Sequence, residues 1–402
     1  LIFSRPSSDP QTLKDMKDIG FQNPEIIDAL IRKWYLGRYR SMRSERARMI
    51  LTGLIPILLN SIAKTLEPEK TFILFDEFLS RLPAGVQLFS MFEAHPQLLN
   101  LVLEILGKAP RLAQHLINLP STLDFVLTPG FFDPLPSQNK MCSQLTSLLK
   151  YSEYHEDILN ISRQWANDLK FQVGVQQLQN LLNAKKVAQS LTNIADTLLK
   201  CLFPIIKRQY AAKYGIIPGA SVAILALGKL GSKEMTPSSD LDVVFIYSTP
   251  NQNNKSNGVN TLHAAKYFSR FCQSYINTIS ATTPYGKLYE VDMRLRPLGN
   301  SGPIAITYKS FKKYQQQLAW TWEHMALTQA RPITGDPDFQ KEITKCIRSI
   351  LIQERDATKV AKDVLEMRTR IRKTHSGDHD WSLKHRKGGI IDIEFITQYL
   401  VL

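Results

Sequence analysis

Two short apolar runs flank a polar segment in the middle of the chain. Residues 221–227 and 243–247 are apolar, and the segment 228–242 between them contains two glycines and a proline. Apolar runs of this length, bounded by turn-forming residues, are typical of buried strands. The pattern therefore predicts two neighbouring strands joined by a polar turn.

A third strand is predicted at residues 287–297, where apolar and polar side chains alternate. Successive side chains of a strand point to opposite faces of the sheet. One face would carry Tyr289, Val291, Met293 and Leu295, and the other would carry Glu290, Asp292, Arg294 and Arg296. The charged face is expected either to meet water or to take part in chemistry.

The rest of the chain has the spacing of helices. Between residues 23 and 128, helix-length segments begin at Asn-Pro, Glu-Pro and His-Pro pairs, and no strand pattern interrupts them. Proline is favoured at the first position of a helix. Apolar residues at helical spacing return at 142–214 and at 268–279, so an all-helical bundle is predicted first, with further helices around the strands.

After Pro303 the chain is predicted to be mostly helical. One apolar stripe consists of Phe311, Tyr314, Leu318, Trp322 and Met325. Their spacing indicates one helical face, and Arg331-Pro332 is expected to close this segment.

The predicted fold class is mainly α with an embedded α+β domain. A segment rich in proline, glycine and polar residues at 129–140 predicts a domain boundary. We expect a helical bundle at 1–128, the α+β domain with its leading helices at 129–340, and the start of another helical bundle at 341–402. The chain begins without methionine and stops inside an apolar helical pattern, so we expect it to be part of a longer protein.

The net charge of +14 at pH 7 favours anionic partners such as a nucleotide, an acidic protein or a nucleic acid. Basic and aromatic residues interleave at 32–48, which is a composition of nucleic-acid binders. Their helical spacing favours instead a solvated helix face whose aromatic side chains reach the core. We therefore expect no nucleic-acid partner.

The cysteine spacing and the hydropathy of the chain indicate its cellular location. The four cysteines lie far apart, which is typical of a reduced, cytoplasmic protein without a zinc site or disulfides. The longest apolar stretch, at residues 49–59, is shorter than the roughly 18 residues of a membrane span. No membrane association is predicted.

Three acidic side chains carry the candidate chemistry. Asp240 and Asp242 lie two residues apart at a strand and so point the same way. Two close carboxylates repel each other, and a site that keeps both ionised usually supplies a divalent cation. If the third strand pairs beside the first two, Asp292 completes a cluster that suits a metal-bound polyphosphate. Taken alone, an Asp-x-Asp at a strand edge is more often a solvated turn.

The combination is more specific than its parts. Gly231-Ser232, the pair Asp240 and Asp242, and the later Asp292 together resemble the nucleotidyltransferase superfamily to which DNA polymerase beta belongs. The fold expected from this resemblance is an α+β nucleotidyltransferase domain of the DNA polymerase beta type.

Four segments narrow the resemblance to one family. Residues 228–242, 288–297, 319–324 and 388–399 resemble bacterial glutamine synthetase adenylyltransferase. That family carries two related catalytic domains, an amino-terminal one that removes AMP and a carboxy-terminal one that attaches it. Two segments are more similar to the attaching domain, namely Ala-Trp-Thr-Trp-Glu-His at 319–324 and Tyr-Glu-Val-Asp at 289–292. Ser232 departs from the second glycine usual in the family, although the wider superfamily accepts either residue.

The resemblance implies transfer of AMP from ATP to a tyrosine of glutamine synthetase, with release of pyrophosphate. Asp240, Asp242 and Asp292 would be catalytic and would hold two Mg²⁺ ions. The nucleotide-binding residues would be Gly231, Ser232, Lys229, Arg294 and Arg296. The resemblance also implies a role in nitrogen regulation, a PII-type signalling protein as partner, and a linker role for the first helical bundle.

Three other functions stay open at this point. The same carboxylates would serve phosphorolytic removal of AMP from the adenylylated synthetase. Nucleotide addition to RNA fits the positive charge but lacks a base-stacking strip. A non-enzymatic nucleotide sensor would not need the intact triad.

Two further groups of polar residues have structural explanations. Asp392 and Glu394 are expected in the first turn of the last helix, where capping or an ion pair explains them as well as chemistry does. The other group is His375, Asp378, His379, Asp380 and His385. Its spacing matches no rigid metal site, so a loop is the preferred interpretation.

Overall fold

The computed structural model of the chain describes residues 8–152, 154–251, 254–375 and 381–402. The chain divides into two compact units. The first consists of Leu1–Pro134 and Phe171–Asn183, and the second of Leu135–Lys170 and Ala184–Leu402.

The first unit is helical throughout the part that the structure describes. Its helices are α1 (Pro10–Asp18), α2 (Pro24–Tyr35), α3 (Glu45–Ala63), α4 (Pro68–Arg81), α5 (Val86–Ala94), α6 (Pro96–Lys108), α7 (Pro110–Asn118) and α8 (Thr122–Val126), with a 3₁₀ turn at Arg40–Met42. Five of them begin with proline, which loses no hydrogen bond there because the first N–H groups of a helix have no partner within it. The helical character predicted for residues 23–128 is confirmed.

Aromatic side chains of the basic segment face the core of the first unit. Trp34 is 1% exposed and stacks on Phe72 with ring centroids 5.2 Å apart. Its indole N–H donates to Oδ1 of Asp76 at 2.7 Å, and the hydroxyl of Tyr39 donates to the same carboxylate. The preferred interpretation of this segment, a solvated helix face with buried aromatics, is confirmed.

Helix α3 is long and apolar enough, by length and composition alone, to cross a membrane. The core helix of a soluble protein passes the same test. One side of α3 is buried in the first unit, through Ala47, Ile50, Leu51, Leu54, Ile55, Leu58, Leu59 and Ile62.

The second unit combines helices with one small sheet. Its helices are α9 (Gln138–Leu149), the first part of α10 (His155–Leu178), α11 (Ala184–Tyr214), α12 (Gly228–Ser232), α13 (Ala264–Ser280), α14 (Tyr308–Gln317), α15 (Thr321–Leu327), α16 (Pro337–Leu351), α17 (Ala357–Thr374) and α18 (Ile390–Val401). Its strands are β1 (Ser221–Ala226), β2 (Leu241–Ser248), β3 (Val291–Asp292), β4 (Ala305–Thr307) and β5 (Arg331–Gly335). The predicted class, mainly α with a domain that mixes helices and strands, is confirmed.

The sheet has the strand order β3-β2-β1-β5, and β4 also pairs with β2. Strand β1 is antiparallel to β2 and to β5, whereas β3 and β4 run parallel to β2. Strand β1 is buried from its second residue onward because both its neighbours and both its faces are covered. A core on one side of the sheet joins Leu225, Val244 and Ile306 to Phe339 and Ile343 of α16.

The third predicted strand is much shorter than its alternating pattern indicated. Only Val291 and Asp292 form strand β3. The chain turns directly afterwards because Oδ1 of Asp292 accepts the backbone N–H of Arg294 at 2.8 Å, a local bond that competes with strand pairing. Arg296 holds the turn by donating to the carbonyl of Met293 at 2.8 Å. The prediction of a strand over 287–297 was therefore wrong in extent.

The single helical stripe predicted after Pro303 was also wrong. The helix ends at Gln317, Leu318 is 64% exposed, and α15 begins anew at Thr321. The carboxylate of Glu323 accepts the backbone N–H of Trp320 at 2.9 Å, which caps the new helix. Arg331-Pro332 does not merely end a helix but opens the strand β5, where proline is tolerated because the strand lies at the sheet edge.

Candidate active site

Asp242 and Asp292 lie opposite each other on the parallel strands β2 and β3. The backbone N–H of Leu241 donates to the carbonyl of Glu290 at 2.9 Å, which fixes this register. Leu241 and Val243 are 1% and 3% exposed, so the alternation of the strand turns Asp242 away from the core as predicted. Asp240 precedes the strand and is exposed.

The negative charges of Asp292 and Asp240 affect the pKa of the Asp242 carboxyl group. Its pKa is raised to about 6, first by burial and then by the negative charges of Asp292 and Asp240, while Arg294 and Lys384 act in the opposite direction. This environment disfavours the ionised form of Asp242. A bound cation would relieve the crowding of negative charge.

Asp292 is held by an arginine two residues along the chain. Nε of Arg294 donates to Oδ2 of Asp292 at 2.8 Å, and Nη2 donates to the same oxygen at 2.5 Å. These bonds lower the pKa of the Asp292 carboxyl. The side chain of Arg294 is 75% exposed, against 15% for Asp292. The Asp292 carboxylate is therefore held in place, whereas the exposed guanidinium is accessible to a solute.

The two acids at Asp240 and Asp292 border an open cleft of about 450 Å³, together with Arg294 and Arg296. Arg296 also donates to the carbonyl groups of Met293 at 2.8 Å and of Gly302 at 3.3 Å. It therefore shapes the wall of the cleft as well as adding positive charge. The cleft combines carboxylates with arginines, a mixture suited to a metal-bound polyphosphate.

Helix α12 carries the glycine-containing part of the motif. Gly228 has a φ of +49°, and an added Cβ would lie 2.5 Å from Oδ2 of Asp242. Only glycine therefore allows the start of α12 to approach this carboxylate so closely. Gly231 is buried against the backbone, where an added Cβ would lie 2.1 Å from the carbonyl oxygen of Gln329, and its N–H donates to Leu227 at 2.8 Å.

The structure places the remaining predicted nucleotide-binding residues on the same short helix. Lys229 is half-buried, and it acts electrostatically on Glu394. Ser232 lies at the end of α12, with its hydroxyl 3.5 Å from the carbonyl oxygen of Lys229. Thus Lys229, Gly231 and Ser232 stand on α12, while Arg294 and Arg296 follow β3.

Arg331 holds α12 in place, a role that no sequence pattern indicates. Its guanidinium donates to the carbonyl groups of Gly231 at 3.0 Å and Leu230 at 2.8 Å, which are otherwise unpaired groups at a helix end. The same guanidinium binds Oδ1 of Asp196 on α11 at 2.8 Å, and the Asp196 side chain is 5% exposed. The contact links α11, β5 and the turn that leads to Asp240.

The last helix, α18, carries the two acidic residues Asp392 and Glu394, for which the sequence favours a structural role. Asp392 forms an ion pair with Arg368 and accepts the N–H of Gly388 at 2.6 Å, so its structural interpretation is confirmed. Glu394 is different. Burial raises the pKa of its carboxyl, while Lys229 and Lys384 lower it. Lys384 lowers the pKa of Asp242 as well. Glu394 lies in the family-like segment 388–399, whereas Lys384 lies outside it.

The side chains of Asp240, Asp242 and Asp292 are chemically suited to a divalent cation, because carboxylate oxygens are the ligands that Mg²⁺ prefers. Within the described ranges, no three His, Cys, Asp or Glu side chains are grouped so as to hold a metal ion.

Part of the histidine-rich group lies outside the described residues, namely Asp378, His379 and Asp380. The imidazole rings of His375 and His385 stack with their centroids 3.7 Å apart. Stacked rings present their faces rather than their nitrogen atoms to each other.

Comparison with known proteins assigns the chain to a family. The sequence model of glutamate-ammonia ligase adenylyltransferase matches residues 99–346, which is more than half of the chain. The chain belongs to this family. The expectation drawn from the motifs at 228–242 and 288–297 is thereby confirmed.

Similar proteins carry the corresponding name. The bifunctional glutamine synthetase adenylyltransferase/adenylyl-removing enzymes of Agrobacterium fabrum and Mesorhizobium japonicum are 40% and 39% identical over all 402 residues. The enzyme of the same name from Rhodopseudomonas palustris is 37% identical over 98% of the chain. The chain spans only 40–41% of the length of these relatives.

Within this adenylyltransferase family member, the structure therefore brings Asp240, Asp242 and Asp292 to one edge of the sheet, with Arg294 beside them. Two further features are visible only in the folded structure: the bond from Arg331 to the carbonyl of Gly231, and the electrostatic effect of Lys229 on Glu394.

Proposed function

We propose that this chain transfers AMP from ATP to a tyrosine hydroxyl of glutamine synthetase and releases pyrophosphate. The observation that carries the proposal is the register that sets Asp242 opposite Asp292, beside Asp240 and a cleft bordered by two arginines. The names of the relatives support the substrate and the reaction. We assign the α+β part of the second unit to the nucleotidyltransferase fold on the same grounds.

Asp240, Asp242 and Asp292 are the residues that would hold Mg²⁺, with two ions expected. When bound, the ions supply positive charge to the α-phosphate of ATP and to the departing pyrophosphate. Burial and then the charges of Asp292 and Asp240 oppose the ionisation of Asp242, and a bound cation would offset this effect. Asp292 becomes available once Arg294 turns from it toward a phosphate, which the exposure of the Arg294 side chain allows.

The transfer step makes one bond and breaks one. The tyrosine oxygen attacks the α-phosphorus, and the bond from that phosphorus to the oxygen bridging the β-phosphate breaks. A tyrosine hydroxyl has a pKa near ~10 and is almost fully protonated at neutral pH. Hydrogen bonds from Arg294 lower the pKa of Asp292, which keeps this carboxylate ionised but makes it a weak base. We propose that Asp292 accepts the phenolic proton after Arg294 has turned from it toward a phosphate, which removes those bonds.

Positive side chains orient the triphosphate. Arg294 and Arg296 border the cleft from the β3 side. We assign Lys229, which lies on α12, to the triphosphate as well. The hydroxyl of Ser232 is a further candidate contact for the β- or γ-phosphate. The N–H of Gly231 is engaged with Leu227, so Gly231 contributes mainly by allowing α12 to pack closely.

The wider setting follows from the family. We propose a cytoplasmic enzyme that adjusts nitrogen assimilation by modifying glutamine synthetase, with a PII-type signalling protein as its regulatory partner. The all-helical first unit would then be part of the linker between the two catalytic domains of the longer relatives.

One assay tests the reaction. The chain is incubated with magnesium and ATP labelled at the α-phosphorus, and is offered unmodified glutamine synthetase or RNA. A parallel reaction contains adenylylated glutamine synthetase and phosphate instead of ATP. Label on the synthetase together with pyrophosphate release is the expected result. Release of ADP from adenylylated synthetase and phosphate, without attachment, would assign the opposite activity. Label on RNA alone would refute the proposal.

A further inference from the structure

The connection that delivers Asp292 to the sheet has little regular structure of its own. It runs from the end of α13 at Ser280 to Glu290 and includes one isolated bridge between Thr283 and Gly286. Its last part is nevertheless buried, since Leu288 and Tyr289 are 3% and 8% exposed. Buried backbone carbonyl groups outside a helix or sheet need other hydrogen-bond donors.

A fully buried arginine of α10 supplies several of these donors. Arg163 is 0% exposed, and its guanidinium donates to the carbonyl groups of Thr278 at 3.0 Å, Ala281 at 3.1 Å and Gly286 at 3.1 Å. Thr278 and Ala281 lie at the end of α13, where carbonyl groups have no partner within the helix. The arginine therefore joins the end of α13 to the turn that follows it.

Two more side chains continue this row along the same helix. The side-chain amide of Asn167 donates to the carbonyl of Tyr285 at 2.7 Å. The amine of Lys170 donates to the carbonyl of Leu288 at 2.9 Å and lies 3.6 Å from the centroid of the Tyr289 ring. Residues four and seven positions apart share one face of a helix. One face of α10 thus follows the connection from its start almost to β3.

We propose that Arg163, Asn167 and Lys170 are positioning residues, which hold the 281–290 connection and thereby keep Asp292 in register with Asp242. The inference rests on the proposed function, because Asp292 matters for catalysis only if the site transfers a nucleotide. None of the three touches the reacting groups. Their action passes through the backbone of the connection to the bond between Leu241 and Glu290, next to Asp292.

The chemistry of these side chains favours this role over simple packing. Burying a charged group is costly unless it is hydrogen-bonded. Arg163 meets this condition through backbone carbonyl groups, and no carboxylate of the described residues forms a salt bridge with it. An apolar side chain would cover the same backbone without that cost, but it would leave the carbonyl groups unpaired and the connection less fixed.

A shift of the 281–290 connection would displace Asp292 and slow the transfer reaction. Displacement of a reacting group by about 1 Å can reduce a rate by about 10²-fold. Lys170 is the sharpest position to test, because it is the last donor before β3. Replacing it by methionine keeps most of the length of the side chain and removes the donor and the charge.

The experiment compares wild type, Lys170→Met and the control Lys207→Met, which removes an exposed lysine of α11. Hydrogen–deuterium exchange is measured on peptides that cover 281–292, and kcat and KM for ATP are measured in the labelled-AMP assay. For Lys170→Met we expect faster exchange confined to 281–292, a fall in kcat of about 10–100-fold and a KM for ATP near that of wild type. Lys207→Met should change neither.

Three results would overturn the inference. They are unchanged exchange at 281–292, a loosened connection with unchanged kcat, and faster exchange throughout the second unit, which would mean general destabilisation. If Lys170→Met does not fold, Asn167→Ala carries the same measurements with smaller expected changes. A wild-type chain that transfers no AMP refutes the proposed function, and exchange alone then decides whether α10 holds the connection.

Discussion

Asp242 and Asp292 stand opposite each other in parallel register, although helix α13 and a long connection separate them in the chain. Burial and then the charges of Asp292 and Asp240 raise the pKa of Asp242 to about 6, whereas hydrogen bonds from Arg294 lower the pKa of Asp292. The pair therefore contains one carboxyl that protonates readily and one that stays ionised. This asymmetry gives the first prediction.

The rate of AMP transfer should fall as the pH drops through about 6. Protonation of Asp242 removes a cation ligand, and its raised pKa sets the midpoint of the fall. A higher magnesium concentration should move the midpoint to lower pH, because cation and proton compete for the carboxylate. The measurement is the initial rate between about pH 5 and 8 at two magnesium concentrations. A midpoint that does not respond to magnesium would argue against Asp242 as a ligand.

Gly228→Ala should lower both stability and activity. The φ of +49° alone is expected to cost about 1–2 kcal/mol for a residue with a side chain. The new Cβ would in addition lie 2.5 Å from Oδ2 of Asp242, so the carboxylate must move. Urea unfolding and the transfer rate are the measurements. Gly37→Ala is the matched control, because its φ is +67° and its nearest neighbour would be 3.8 Å from the Cβ. It should lose stability without losing activity beyond the unfolded fraction.

Arg331→Met should destabilise the second unit by about 3–5 kcal/mol. The substitution leaves the buried carboxylate of Asp196 without its partner, and removing one member of a buried ion pair has effects of this size. It also frees the carbonyl groups of Leu230 and Gly231 at the end of α12. Adding Asp196→Asn to Arg331→Met should restore part of the stability. Additive losses in the double variant, measured by urea unfolding, would contradict this coupling.

Stability should rise with pH above neutrality because of Lys170. Burial lowers the pKa of its amine to about 7 from an ordinary value of 10.5. Between these two values the unfolded chain binds a proton that the folded chain does not bind, so raising the pH favours the folded state. Below about pH 7 both states are protonated and this contribution no longer changes. Lys170→Met should flatten the rise in urea-unfolding free energy between about pH 7 and 10, whereas Lys207→Met should retain it.

The sequence was sufficient for features that depend on local pattern. Strands β1 and β2 follow from bounded apolar runs, and the face of Asp242 follows from the burial of Leu241 and Val243 on either side. The motifs around Asp240, Asp242 and Asp292 led to the family. These features need only residues that are neighbours in the chain.

Features that depend on tertiary contacts could not be predicted in the same way. An alternating pattern at 287–297 indicated a long strand, but the local bond between Asp292 and Arg294 ends the strand after two residues. Pro332 after a helical pattern predicts the end of a helix, because its position in an edge strand depends on the pairing of β5 with β1. Lys170 and Arg331 donate to backbone carbonyl groups that lie 118 and 100 positions away in the chain.

The transfer rate of Asp292→Asn, measured beside that of Asp338→Asn, tests the role of Asp292 in the site. Asp338 lies in the first turn of α16, and its exposed carboxylate forms an ion pair with Lys341 at 2.9 Å. We expect Asp292→Asn to reduce AMP transfer to glutamine synthetase by at least about 10²-fold while the chain stays folded, and Asp338→Asn to stay near the wild-type rate. A folded Asp292→Asn chain with the wild-type transfer rate would show that Asp292 is not needed for the reaction.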